Sequence, residues 1–109
     1  MIEVLIKPRE VIISGHAKSA PKGQDLVCCA VSTLYASLVA NLLNDIEKDK
    51  GNEVEYDGLE GNARVKIKKF NTKSYYSFKF FRIAIKELAK EYPKYIKVED
   101  KIDDAKKEN

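Results

Sequence analysis

The first residues alternate. Ile2, Val4 and Ile6 fall on one side of an extended chain and Glu3, Leu5 and Lys7 on the other, which is the two-residue period of a β-strand. Pro8-Arg9-Glu10 reads as a turn, and Val11 to Ser14 as a second strand, so the two predict a hairpin that ends at Gly15. Residues 17–24 have no apolar period and read as a loop. From Asp25 the period lengthens. Val27, Val31, Leu34, Leu38, Leu42 and Ile46 make one stripe of a helix predicted over residues 26–48, with Asp25 as its N-cap and Lys50-Gly51-Asn52 as its stop. Ala30, Ala36 and Ala40 add small residues, which predicts a helix packed closely on several sides.

The second half repeats the theme loosely. Glu53 to Asp57 reads as a short strand, and Gly58 to Asn62 as a glycine-containing hairpin loop. Ala63 to Phe70 alternates again, with Val65 and Ile67 inward and Arg64, Lys66 and Lys68 outward. Capping residues lie between Asn71 and Ser74, followed by Tyr75, Phe78, Phe81, Ile85, Leu88 and Tyr92 at helical spacing. Tyr95 to Glu99 is a last strand. The order β-β-α-β-β-α-β predicts a two-layer α+β domain, a mixed, mostly antiparallel sheet with both helices on one face. The domain is expected over residues 1–99, and the charged tail 100–109 is expected to fray.

Length and composition narrow the class. A chain of 109 residues with 44% apolar content is one domain with a packed core. The charge, 20 basic against 17 acidic residues, is mixed rather than gathered into the basic patch of a nucleic-acid binder. The start of the chain lacks the basic-then-apolar form of a signal peptide. The apolar run from Leu26 to Leu43 has membrane-span length, but Ser32, Thr33, Ser37 and Asn41 interrupt it and Asp25 precedes it, so a core helix is the expectation. The chain is expected to be soluble and cytoplasmic. Its two cysteines are adjacent, which is no disulfide framework, and with one histidine they fall short of a zinc site without carboxylate help. No metal or cofactor is expected.

The single histidine, His16, follows the second strand, and Cys28 lies in the first turn of the first helix. Helix-start amides and the positive end of the helix dipole favour a thiolate there. Lys18 and Lys22 can add positive charge, and Pro21 and Gly23 shape the loop between the two residues. His16 and Cys28 meet the requirements of an imidazole base and a thiol nucleophile. The plainer reading makes Cys28 a small hydrophobe and His16 a surface or capping residue. Asp25 is an N-cap or a third, orienting group. Ser32, one turn beyond Cys28, either bonds near the thiol or bonds back to the helix carbonyl. Cys29 points about 100° away from Cys28 and is expected in the core.

Gly15-His16-Ala17, a glycine-containing loop, then Asp25-Leu26-Val27-Cys28-Cys29-Ala30-Val31-Ser32 resembles the signature of the Prp family of ribosomal-processing cysteine proteases. Leu26 stands where isoleucine is more usual and Cys29 where alanine is common. The resemblance covers residues 1–99. It implies that Cys28 is the nucleophile and His16 its partner in a dyad working through a thioester. It also implies a homodimer and a mobile loop 17–24 that admits the substrate. The implied substrate is the N-terminal extension of a bacterial large-subunit ribosomal protein. Two other classes stay open. A non-catalytic ribosome- or RNA-associated module would use Arg64, Lys66 and Lys68 against phosphates. A thiol redox protein would use Cys28 and Cys29, although they lack the two-residue spacer of the usual redox pair.

Overall fold

A computed structural model describes residues 1–16, 25–59 and 61–102. The elements follow the expected order: β1 (Ile2–Lys7), β2 (Glu10–Ser14), α1 (Leu26–Asp45), β3 (Val54–Leu59), β4 (Asn62–Ile67), α2 (Thr72–Glu91) and β5 (Ile96–Asp100). The sheet order is β3-β4-β2-β1-β5. All neighbours are antiparallel except β1 and β5, which run parallel with Ile2 opposite Ile96 and Val4 opposite Val98. The domain is therefore the expected mixed α+β two-layer sandwich.

One sheet face forms the core. Ile2, Val4, Ile6, Val11, Ile13, Val65, Ile67 and Ile96 are buried beneath the two helices. From α1 come Val27, Val31, Tyr35, Leu38, Val39 and Leu42, and from α2 Phe78, Phe81 and Ile85. Full burial of each such side chain is worth roughly 1.5–3 kcal/mol. Helix α1 is long and apolar enough to cross a membrane by composition, with mean hydropathy 1.9 over its best window. One third of that window is buried, along the stripe that faces the sheet. Helix α2 packs on α1 and β5, and α1 reaches β3 at the opposite side. A helix is about 10 Å across and strands lie about 4.8 Å apart, so two helices cover roughly four strands. The inner face of the outermost strand, β3, is only partly covered: Val54 packs against the core, whereas Tyr56 is largely exposed.

The boundaries differ from the periodic reading in instructive ways. Helix α1 stops at Asp45, not Lys48: Ile46 is its cap, and successive turns run on to Asn52. Buried Asn52 explains the stop. Its Oδ1 accepts from the amides of Glu53 (3.0 Å) and Lys69 (2.9 Å), and its Nδ2 donates to Asp49 Oδ2 (2.8 Å) and the Lys69 carbonyl (2.9 Å). Asn71 also donates to Asp49 while capping α2 in a reciprocal pair with Ser74. One clasp thus joins the end of α1 to the start of α2. The β3–β4 hairpin is tighter than expected, because Leu59 pairs with Asn62 and Gly58 lies within the strand.

Asp100 is no part of a frayed tail. It ends β5 with its side chain 5% exposed, 3.0 Å from Arg82 Nε and 2.6 Å from Lys86 Nζ, and its Oδ1 accepts from the Ile102 amide. Two cations on α2 draw it inward. The rest of the predicted tail, 103–109, lies outside the described residues.

On the outer sheet face, the row Arg64, Lys66 and Lys68 is exposed as expected, but acids interleave with it. Glu10 pairs with Arg64 and stands opposite Lys66, and Asp57 and Glu55 flank the same residues from β3. Basic and acidic side chains thus alternate on this part of the outer face. The hydrogen bond from Arg64 holds the Glu10 carboxyl below its ordinary value of 4.5. Unfolding releases that shift, so the stabilisation is complete above about pH 4.5 and disappears as pH falls through the lower folded value. Glu10→Gln is expected to flatten the acid side of the stability curve, read by urea unfolding between pH 3 and 7. Asp100→Ala, which removes the buried carboxylate that Arg82 and Lys86 share, is expected to cost about 3 kcal/mol. Lys101→Ala, which breaks an exposed pair with Glu99, is expected to cost less than about 0.5 kcal/mol in the same measurement.

Candidate active site

A cleft of about 570 Å³ runs along α1 beside the partly covered inner face of β3. His16 and Cys28 both line it, at the end where β2 stops and α1 begins. The two residues singled out by sequence thus share one cavity.

Asp25 sets the position of Cys28. Its extended backbone precedes α1, and its carboxylate accepts from the Cys28 amide at 3.0 Å. That is the predicted N-cap, and it places the thiol in the first turn. Cys28 is half-buried and packs against the core at the flank of α1. Cys29 is exposed, which corrects the expectation of a core residue. The sheet-facing stripe starts at Val27, and two residues at 100° each carry Cys29 to the solvent side. Ala36 and Ala40 are likewise exposed, and instead of meeting another element they form a wall of the cleft.

Two glycines seat His16. Gly15 has φ +88°, and a side chain there would run into the Met1 carbonyl oxygen. Gly61 has φ +77°, and a Cβ on it would lie 2.5 Å from His16 Nε2 and 3.0 Å from Cε1. The imidazole therefore rests directly on the Gly61 backbone. The Gly15 amide donates to the Gly61 carbonyl at 3.0 Å, tying the end of β2 to the tip of the β3–β4 hairpin. Sequence reading put Gly61 in a turn, but nothing local linked that turn to a histidine 45 positions earlier.

Tyr35 braces the cleft from α1. Its hydroxyl lies 2.5 Å from the Asp57 carbonyl oxygen and 2.6 Å from that of Arg64, donating its one proton to this pair. Burial, with Asp57 nearby, raises its pKa, so it stays a neutral donor. Sequence reading missed Tyr35 and Tyr56, the cleft's two tyrosines, because aromatic residues at these spacings look like ordinary core. Ser32 is exposed and lines the cleft next to Cys28. Lys18, Pro21, Lys22 and Gly23, the substrate-loop residues of the sequence reading, lie outside the described residues. Among the described residues no group of three or more His, Cys, Asp or Glu side chains is placed to hold a metal ion.

A helix-start thiol and an imidazole opening on one largely apolar cleft define a cysteine hydrolase. Residues 1–97 match the family described as Cysteine protease Prp, and the chain belongs to that family. It is 30% identical over 101 residues to the ribosomal processing cysteine protease Prp of Mycoplasma pneumoniae, covering 92% of this chain and 95% of the relative. The fold matches that of the essential ribosomal processing protease Prp of S. aureus, solved with a covalently linked product peptide. The TM-score is 0.71 at 17% identity, over 92% of this chain and 97% of the other. A Streptococcus mutans protein, SMU.848, matches at TM-score 0.63 and 26% identity, over 91% and 90%.

Gly61→Ala is expected to displace His16 and to slow alkylation of Cys28 by iodoacetamide near neutral pH several-fold, read by mass spectrometry of the Cys28 peptide. The strained positive φ is expected to cost about 1 kcal/mol of stability. Tyr35→Phe is expected to cost about 1 kcal/mol in thermal unfolding while leaving that alkylation rate unchanged.

Proposed function

We propose that this protease removes the N-terminal extension of a bacterial large-subunit ribosomal protein, using Cys28 and His16 as its catalytic dyad. The observation that carries the reading is the shared cleft: the one histidine and the capped helix-start cysteine open on the same apolar cavity. The name of the Mycoplasma relative and the peptide-bound S. aureus structures point to the same substrate class.

The chemistry follows from those two side chains. His16 takes the thiol proton, and Cys28 Sγ bonds to the scissile carbonyl carbon as the carbonyl π electrons move to oxygen. The Cys28 amide is held by Asp25. The oxyanion falls to helix-start backbone amides, which precede the first complete turn and have no intrahelical acceptor. Collapse re-forms the carbonyl and breaks the C–N bond, and the leaving amine takes the proton from His16. Water, deprotonated by His16, then attacks the thioester. The new acid leaves, and Cys28 Sγ departs as thiolate. Asp25 serves here as a positioning residue for the nucleophile. A homodimer in the cytoplasm belongs to the same reading. Tyr76, Phe80 and Ile83, exposed along one side of α2, offer apolar surface to a second copy, which sedimentation equilibrium checks.

Incubation with the extended ribosomal protein tests the proposal. Wild-type enzyme and Cys29→Ala are expected to release the mature N-terminus, whereas Cys28→Ala and His16→Ala lose at least about three orders of magnitude in rate. Cleavage that survives in Cys28→Ala would overturn the assignment of the nucleophile.

A further inference from the structure

Gly58 lies inside β3, opposite Ala63, on the same strand face as Val54 and Tyr56. Nothing in the fold demands a glycine there. Among the described residues the positive φ values belong to Gly15, Gly51 and Gly61, so Gly58 has a backbone that other residues adopt. A Cβ added to it meets no atom within 4 Å, so no neighbour needs the space either. A glycine in a strand interior weakens the strand, and where neither backbone nor packing requires it, it often marks the close approach of a ligand.

The space left open is the cleft. Gly58 lines it together with His16, Cys28 and the short side chains of Ala36 and Ala40. Tyr35, Val39, Leu43 and Tyr56 give the same cavity an apolar and aromatic surface. Tyr56 is 55% exposed and Leu43 39%, far more than core packing leaves. Small residues thus leave room in the cleft, and large apolar ones surround it.

We infer that Gly58 is a specificity-determining residue. Its missing side chain leaves the room in which one large apolar side chain of the substrate peptide lies against the surface of Tyr35, Val39, Leu43 and Tyr56. The inference rests on the peptidase reading and adds to it a position and a side-chain class.

Binding to the full-length Cys28→Ala protein tests this without relying on turnover. The probe is a fluorescein-labelled peptide spanning the junction of the ribosomal protein's extension, together with variants in which each large apolar residue is replaced by alanine in turn. One alanine variant is expected to bind at least ten-fold more weakly than the parent, by fluorescence anisotropy. Adding Gly58→Val is expected to weaken the parent ten-fold or more and to shift that alanine variant less than two-fold. Gly58→Ala, whose methyl group meets open space, is expected to fall between and guards against a folding artefact, with Tm unchanged or raised in both. Equal weakening of all the peptides by Gly58→Val, no weakening of any, or no binding of the parent overturns the inference. Cleavage by wild-type enzyme is measured alongside. If the parent is cleaved and Gly58→Val cleaves it equally well, this inference fails and the peptidase reading stands. If nothing is cleaved but the selective loss of binding remains, the peptidase reading fails and the apolar subsite stands.

Discussion

Burial of one face of α1 against the sheet holds the candidate site in register. Val27, Val31, Leu38 and Leu42 set the rotation of the helix about its axis. Once those face the sheet, the 100° step leaves Cys28, Ser32, Ala36 and Ala40 along one flank, beside the inner face of β3. Asp25 sets the other coordinate, where along the axis the helix begins. Rotation and start together aim the thiol. The cleft it opens on exists because two helices are too narrow for five strands, so the cavity is what the layer geometry leaves only partly covered.

The histidine is placed by different means. No strand or helix carries it. It sits just past β2, between a glycine whose amide is tied to the β3–β4 hairpin and another glycine whose backbone forms its seat. Cys28 is thus positioned by packing and capping and His16 by backbone contact between two hairpins. Tyr35 bonds α1 to the carbonyls of β3 and β4, coupling the helix that holds one residue to the hairpin that holds the other.

The strands, the helices and their order were readable from periodicity because each inner face is apolar every second or every third to fourth residue. Cys28 and His16 were readable because the chain has so few thiols and imidazoles, and because Asp25 announces the helix start. Other features were not. Asn52 looks like a loop residue until Lys69, seventeen positions away, supplies its partners. Asp100 looks like the first charge of a tail until Arg82 and Lys86 close on it. Gly58 and Gly61 look alike in a short glycine-containing segment, yet one supports an imidazole and the other opens a cavity. In each case the deciding neighbour is distant in the chain, where local pattern has nothing to say.

The parallel pairing of β1 with β5 joins the two ends of the folded chain. Ile2 cannot find Ile96, nor Ile6 reach the strand that ends in Asp100, until nearly the whole polypeptide has been made. Such long-range closure comes late in folding. Ile2 lines the same cleft as Cys28 and His16, and the Ile2 amide donates to the Tyr95 carbonyl at 2.7 Å. The wall that these residues share is therefore completed only once β5, the last strand in the order, has paired with β1.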